Sequence, residues 1–262
     1  MRERFGFLII IIAAIALASC STTRVLQDDQ YRLVRNKIEV TNDKNFNSGT
    51  LSPYLKQKPN PSIIFGWNPF LSVYNWSNGN GGLWDRLVKK VGQEPIIYDA
   101  DQVESSVDNI LDHLEYQGYY GSDVQSDIKV KGKKVSVTYN VTLGRRFPIE
   151  DISIDLPSRG EFRECFLQDT SAMTVRKGDF LSEAALEKES ERSSAAMRNV
   201  GFYDFNKNYF FFEADTTSYP GKALLKLTVN EYTRNESPRN ASPIRKFYFN
   251  DINITYPKSL KI

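Results

Sequence analysis

Arg146-Phe147-Pro148-Ile149-Glu150-Asp151-Ile152-Ser153-Ile154-Asp155-Leu156-Pro157 recurs one hundred positions later as Lys246-Phe247-Tyr248-Phe249-Asn250-Asp251-Ile252-Asn253-Ile254-Thr255-Tyr256-Pro257. A basic residue leads each copy, and Phe, Asp, two Ile and Pro fall in register. A weaker echo, Lys37-Ile38-Glu39-Val40, lies upstream. Leu114-Glu115-Tyr116-Gln117-Gly118-Tyr119-Tyr120 likewise resembles Met197-Arg198-Asn199-Val200-Gly201-Phe202-Tyr203. Two signatures repeating together describe an array of like modules, so function is to be sought in the array before any single pocket.

The stretch 147–156 alternates and is closed by Pro157, which predicts a half-buried strand. A short helix is predicted over Phe162–Phe166. A longer one begins at Ser182-Glu183, a hydroxyl N-cap with an acid in the first turn. Ala185, Leu186, Ala196, Met197 and Val200 share a face, and Gly201 supplies the left-handed stop. Strands over Tyr209–Glu213 and Ala223–Val229 flank a turn at Tyr219-Pro220-Gly221. The order is strand, helix, helix, strand, strand. Upstream the same ending recurs. Asp101-Gln102-Val103-Glu104 reads as a capping box, Val103, Val107, Ile110, Leu111 and Leu114 form a stripe, and Gly118 ends the helix. Strands Asp123–Val130 and Lys134–Leu143 follow, and Arg32–Val40 opens the module. The stretch Asn42–Ala100 is too long for one short helix. It holds Trp67, Trp76, Trp84 and the loop Asn78-Gly79-Asn80-Gly81-Gly82.

The N-terminus reads as an address. Arg2 and Arg4 precede an apolar run, Phe7–Leu17, too short to span a membrane, and Leu17-Ala18-Ser19-Cys20 closes it. Small residues directly before a cysteine form a lipobox, so cleavage before Cys20 and its acylation are expected. Several acyl chains on one residue anchor stably. Without Arg2, Glu3 and Arg4 the chain keeps 32 basic and 31 acidic residues. A charge near +1 excludes a strongly basic nucleic-acid binder and leaves no polybasic patch for headgroups. With Cys20 acylated, Cys165 has no disulfide partner.

A β-α-α-β-β module with Gly-aromatic-Tyr after its second helix resembles the polypeptide-transport-associated (POTRA) domain, found in the periplasmic arms of the BamA/TamA outer-membrane assembly superfamily. The resemblance covers roughly residues 31–257. The lipobox, with Gln57-Lys58-Pro59-Asn60 ahead of a Trp- and Gly-bearing insertion, makes the chain similar to the lipid-anchored TamL branch of Bacteroidetes. It implies an α+β fold of tandem POTRA-like modules, each a small three-stranded mixed sheet with two helices on one face. The expected layout is a signal peptide at 1–19, a lipidated tether at 20–30, and module 1 at 31–144 with the insertion 42–100. Module 2 follows at 145–233, then a linker and the first strand of a third module at 234–262. Members of the superfamily carry a C-terminal β-barrel, which this chain stops short of.

Isolated candidates for chemistry do not assemble into a site. His113, the only histidine, lies off the helix stripe, and Cys165 sits beside Phe162 and Phe166 as a small core residue. Asp28-Asp29 and Asp99–Asp101 read as solvated tether and helix cap. Asn78–Gly82 lacks the Lys-Ser/Thr of a phosphate loop. No nucleophile, base and orienter converge, so neither an enzyme, a cofactor nor a metal is expected. Tyr209-Phe210-Phe211-Phe212 cannot all face one side of a strand, so some meet a neighbour or a partner. The resemblance implies that the second strand of each module lies at a sheet edge, where a client strand adds through main-chain bonds. The candidate edge residues are Tyr209, Phe210, Phe211, Phe212, Gln125 and Ile128, with proline at Phe211 expected to remove a ladder donor and abolish client crosslinking at that strand. Expected partners are unfolded outer-membrane proteins or a TamB-like envelope protein, with the outer membrane held through the acyl chains. No nucleic acid is expected. Ser21-Thr22-Thr23-Arg24-Val25 lacks the acidic signal that surface-exported lipoproteins carry directly after the cysteine, so the arm is expected on the periplasmic face; the competing reading is that Gln27-Asp28-Asp29 acts as a displaced surface signal. The rival reading is a glycan-binding lipoprotein using Trp67, Trp76 and Trp84.

Overall fold

The computed structural model describes residues 22–62, 68–77 and 79–254; the expected signal peptide, Cys20, Trp67 and Asn78 lie outside these. The chain divides into two compact units. The first runs to Leu114 and includes Gly121–Gly144; the second holds Glu115–Tyr120 and the residues from Arg145 onward. The fold class is α+β, with two small three-stranded mixed sheets.

In the first unit β1 (Arg32–Val40) is followed by a 3-10 turn at Ser48–Tyr54 and two short helices, α1 (Pro69–Tyr74) and α2 (Leu83–Val91). Helix α3 (Ala100–Tyr116), β2 (Asp123–Lys131) and β3 (Lys134–Thr142) complete the order. β3 is central, parallel to β1 and antiparallel to β2. Its period-two alternation buries Val135, Val137, Tyr139 and Val141 almost completely, as expected of a strand with one face on the core. Against them α3 lays Val103, Ile110 and Leu114. Ser106, not Val107, completes that face; its hydroxyl donates to Gln102 O at 2.6 Å and accepts from Lys56 N at 2.9 Å. The predicted capping box is corrected: Asp99 accepts from the amides of Asp101 and Gln102, one residue ahead of the helix. Within the insertion, the sequence with Gly49 and Pro53 folds as the 3-10 turn, which buries Leu51 fully. His113 is half-buried beside the stripe, stacked on Tyr54 at 3.9 Å, and desolvation lowers its pKa.

The second unit runs β4 (Ile149–Asp155), α4 (Glu161–Asp169), α5 (Glu183–Asn199), a 3-10 turn at Lys207–Tyr209, β5 (Phe210–Asp215) and β6 (Ala223–Val229). β6 is central, parallel to β4 and antiparallel to β5. Ser182 caps α5 by accepting from Ala185 N, and Gly201 ends it at φ 106°. The core is aromatic: Phe162, Phe166, Phe202, Phe205 and Phe210 pack with ring centroids 4.8–6.0 Å apart. Truncating any one of these to Ala costs about 3–5 kcal/mol. Of the apolar face predicted for α5, four residues meet the core, with Ala185 and Ala196 packed against it part-buried. Leu186 and Met197 are buried but Val200 is exposed, and the remainder of the core side is polar: Glu189, Ser190, Ser193 and Ser194.

Of the stretch 234–262, expected to hold a linker and the first strand of a third module, residues 241–254 carry no strand and 255–262 lie outside the described residues. The first strand of each complete unit is held by the last strand of the same unit; among the described residues no such partner meets 241–254. Phe247, Tyr248, Phe249, Ile252 and Ile254 are consequently exposed.

Candidate strand-docking site

A three-stranded sheet has two outer strands, and the chain treats its four edges differently. Along β1, Leu33 N donates to Ile96 O and Tyr98 N to Tyr31 O, so Ile96–Tyr98 cover the start of that edge. Gln57 and Asn60 pin this cover: Gln57 accepts from Asp99 N at 3.2 Å and Asn60 from Ile96 N at 2.9 Å. β4 is covered at its start by residues 178–181, through Ile149 N to Asp179 O, Gly178 N to Ile149 O and Leu181 N to Phe147 O. Among the described residues β2 has no such cover, and β5, like β1 and β4, is covered only at its start.

The pairing register decides which backbone groups of β5 point outward. Asn230 N donates to Tyr209 O at 3.1 Å, so residue pairs whose numbers continue that register in steps of two exchange the ladder bonds. Tyr209, Phe211, Glu213 and Asp215 therefore turn their amides and carbonyls to β6. Phe210, Phe212 and Ala214 turn theirs away. Arg234 covers the first of these: its amide donates to Asn208 O and its Nε to Phe210 O, the latter at 2.9 Å. The outward groups of Phe212 and Ala214 are left open. For β2, the two-residue turn Gly132-Lys133 makes Lys131 and Lys134 the closing bonded pair. Counting back in twos, Gln125 faces β3 and Ile128 faces outward.

Of the candidate residues, then, Ile128, Phe210 and Phe212 carry outward backbone groups, whereas Gln125, Tyr209 and Phe211 do not. Tyr209 belongs to the 3-10 turn, and the Phe210 side chain is core. The four aromatics sort themselves within the unit. Phe210 and Phe212 stack at 6.2 Å on the core side; Phe211 is covered on the other by Tyr232 and the Arg234 guanidinium. The sequence showed no sign of Arg234 as a lid, because its target is a carbonyl set by register. Proline at Phe211 removes a donor of the β6 ladder and so disturbs the sheet itself; the outward donors are the amides of Phe212 and Ala214. Cys20 lies outside the described residues.

Beside β5 runs a cleft of about 740 Å³, walled by the start of α5 and floored by Leu181, Leu186 and Phe212. Its rim is charged, with Glu183, Glu187 and Glu213 against Lys207 and Arg234. Lys207 sits between Glu187 at 2.6 Å and Glu191 at 2.8 Å. Those bonds hold its ammonium well above the ordinary lysine pKa, and Lys207, then the Tyr116 hydroxyl, hold Glu187 below the ordinary glutamate value. Tyr116 donates to Glu187 at 2.7 Å, which raises its own pKa. The arrangement offers an apolar floor, two residues' worth of open backbone bonds, and no reactive group. Along β2 every residue but Val124 is exposed. Among the described residues no group of three His, Cys, Asp or Glu could hold a metal, and no helix is long and apolar enough to cross a membrane.

The family model for POTRA, described as a surface antigen variable number repeat, matches residues 34–144. No curated protein matches the chain. Among solved structures, the chain is similar to BamA from Haemophilus ducreyi lacking POTRA domains 1-3, at 14% identity and a TM-score of 0.37; the match covers 77% of this chain and 30% of that one. It is also similar to Haemophilus influenzae BamA POTRA3-5, at 11% identity and a TM-score of 0.31, covering 78% and 99%. POTRA1-2 of Omp85 from Anabaena gives 11% identity and 0.31, covering 77% and 96%. The chain thus spans less than a third of the Haemophilus ducreyi protein.

Proposed function

We propose that residues 31–233 are two POTRA-like modules of a periplasmic arm serving outer-membrane protein assembly, tethered through an acylated Cys20, with 234–262 leading into a third. In this reading the arm is non-enzymatic. It binds extended segments of unfolded outer-membrane proteins, or of a TamB-like envelope partner, by adding a strand to β5. The observation that carries the reading is the pair of outward-facing residues Phe212 and Ala214 beside the cleft floored by Leu181 and Leu186. Main-chain bonds accept clients with little sequence in common, while the apolar floor favours alternate apolar side chains. POTRA homology over the first unit and the repeated strand order in the second support the assembly role.

The test uses a photo-reactive residue in place of Glu213, exposed at the rim. Capture of unfolded porin is expected. Ala214→Pro removes one outward donor, leaves the β6 ladder intact, and is expected to abolish capture while the circular dichroism spectrum is kept. Capture that survives in a folded Ala214→Pro protein would overturn strand addition at β5.

A further inference from the structure

Helix α2, within the insertion, is turned inside out. Leu83, Trp84, Leu87 and Val91 fall within an arc of about 100°, yet they are 80, 56, 59 and 58% exposed. A short amphipathic helix in a soluble unit normally buries such a face. Here Asp85 and Val88 are the buried residues, at 3 and 4%. The rotation is fixed by bonds: Asp85 accepts from Ser77 Oγ at 3.2 Å and from Gly81 N at 2.8 Å. Gly92, just past the helix, lies so close to Tyr74 of α1 that a Cβ there would meet its backbone at 2.6 Å. The apolar face is thus held outward by a fitted hairpin. Arg86 and Lys90 line one flank of the arc, and Phe70 and Trp76 of the same hairpin are also exposed.

We infer that this face of α2 lies in the headgroup boundary of a phospholipid leaflet, as a second, reversible membrane contact beside the anchor. Three features select lipid. The face is aliphatic with Trp at its margin, and basic side chains flank it, the composition of helices that lie in an anionic interface. A sugar platform would pair its aromatics with hydrogen-bonding side chains, whereas Trp84 stands among Leu83, Leu87 and Val91. The tether also arrives here: Val25 N donates to Asn75 Oδ1 at the end of α1, at 3.3 Å. Five residues separate Val25 from Cys20, a reach of at most about 18 Å. The direction of the membrane rests on the lipid-anchored reading of Cys20; the outward apolar face does not.

The full chain, with Trp67→Phe and Trp76→Phe so that Trp84 alone emits, is placed with vesicles of phosphatidylethanolamine and phosphatidylglycerol carrying brominated acyl chains. Flotation reports the anchor and quenching reports the helix face, so each reading can fail alone. The expected result is a loss of at least half of the Trp84 emission with a blue shift. Leu83→Asp with Leu87→Asp, both at exposed positions, is expected to abolish quenching while flotation and thermal midpoint are kept. Equal quenching in the two proteins, or none in a parent protein that floats, overturns the inference. A Trp84 shift produced by peptidoglycan fragments and not by vesicles overturns it in favour of glycan.

Discussion

Replacing Glu189 by Ala removes the anion at the centre of the polar seam under α5. Its side chain is 1% exposed and accepts four bonds: Thr174 N at 2.7 Å, Thr174 Oγ1 at 2.6 Å, and Arg192 Nε and Nη2 at 3.1 and 2.7 Å. Breaking a buried pair by deleting one partner costs about 3–5 kcal/mol, because the other charge stays desolvated. Arg192 is 25% exposed and keeps a bidentate pair with Asp169 at 3.0 and 2.7 Å, which puts the loss at the lower end, about 3 kcal/mol. For a unit of this size that lowers the melting midpoint by roughly 12–24 °C. All three tryptophans belong to the first unit. Calorimetry is therefore expected to show the second unit's transition moved while the tryptophan-reported transition stays in place. Lys207, whose bridges to Glu187 and Glu191 are exposed, serves as the control, and Lys207→Ala is expected to leave the midpoint near its starting value. A Glu189→Ala shift no larger than that of Lys207→Ala would refute the argument.

Gly118→Ala is expected to be the most damaging single methyl: φ is 86° and the added Cβ would stand 2.1 Å from Leu181 O, so chemical denaturation is expected to lose at least about 2 kcal/mol. Asp215 is held far below the ordinary aspartate pKa, first by the hydroxyls of Ser218 and Thr217, then by their amides. A depressed carboxylate contributes stability above its unfolded pKa of about 3.9 and loses it as the pH falls further. Asp215→Asn is therefore expected to flatten the acid limb of the second unit's stability profile and leave its slope near pH 7 unchanged. Cys20→Ala is expected to shift the chain from the outer-membrane pellet to the periplasmic supernatant. Proteinase K on intact cells is expected to spare the modules; their digestion without permeabilisation would place the arm outside.

Strands declared themselves in the sequence where their periodicity served one core. β1 and β6 fall at the predicted bounds, and β3 buries the predicted alternate residues. Helix stops were legible because Gly118 and Gly201 need positive φ. The core side of α5 was not: Glu189, Ser190, Ser193 and Ser194 carry no apolar signal, and two of them, Glu189 and Ser193, bond to Thr174 and Asp169, partners set by the fold. The candidate site was legible as a strand but not as a surface. Which amides of β5 face outward depends on register with β6, and a shift of one residue exchanges Phe211 for Phe212.

The lid that Arg234 places on Phe210 O limits how long a guest strand can be. What is left open is a window of two residues, Phe212 and Ala214, offering four main-chain bonds at about 1 kcal/mol apiece, which corresponds to a dissociation constant near the millimolar range. So short a window favours rapid release over storage. On the proposed reading, grip would grow by number: a client that met a like window on further modules would be retained by avidity, and one that folded and withdrew its free strands would be let go.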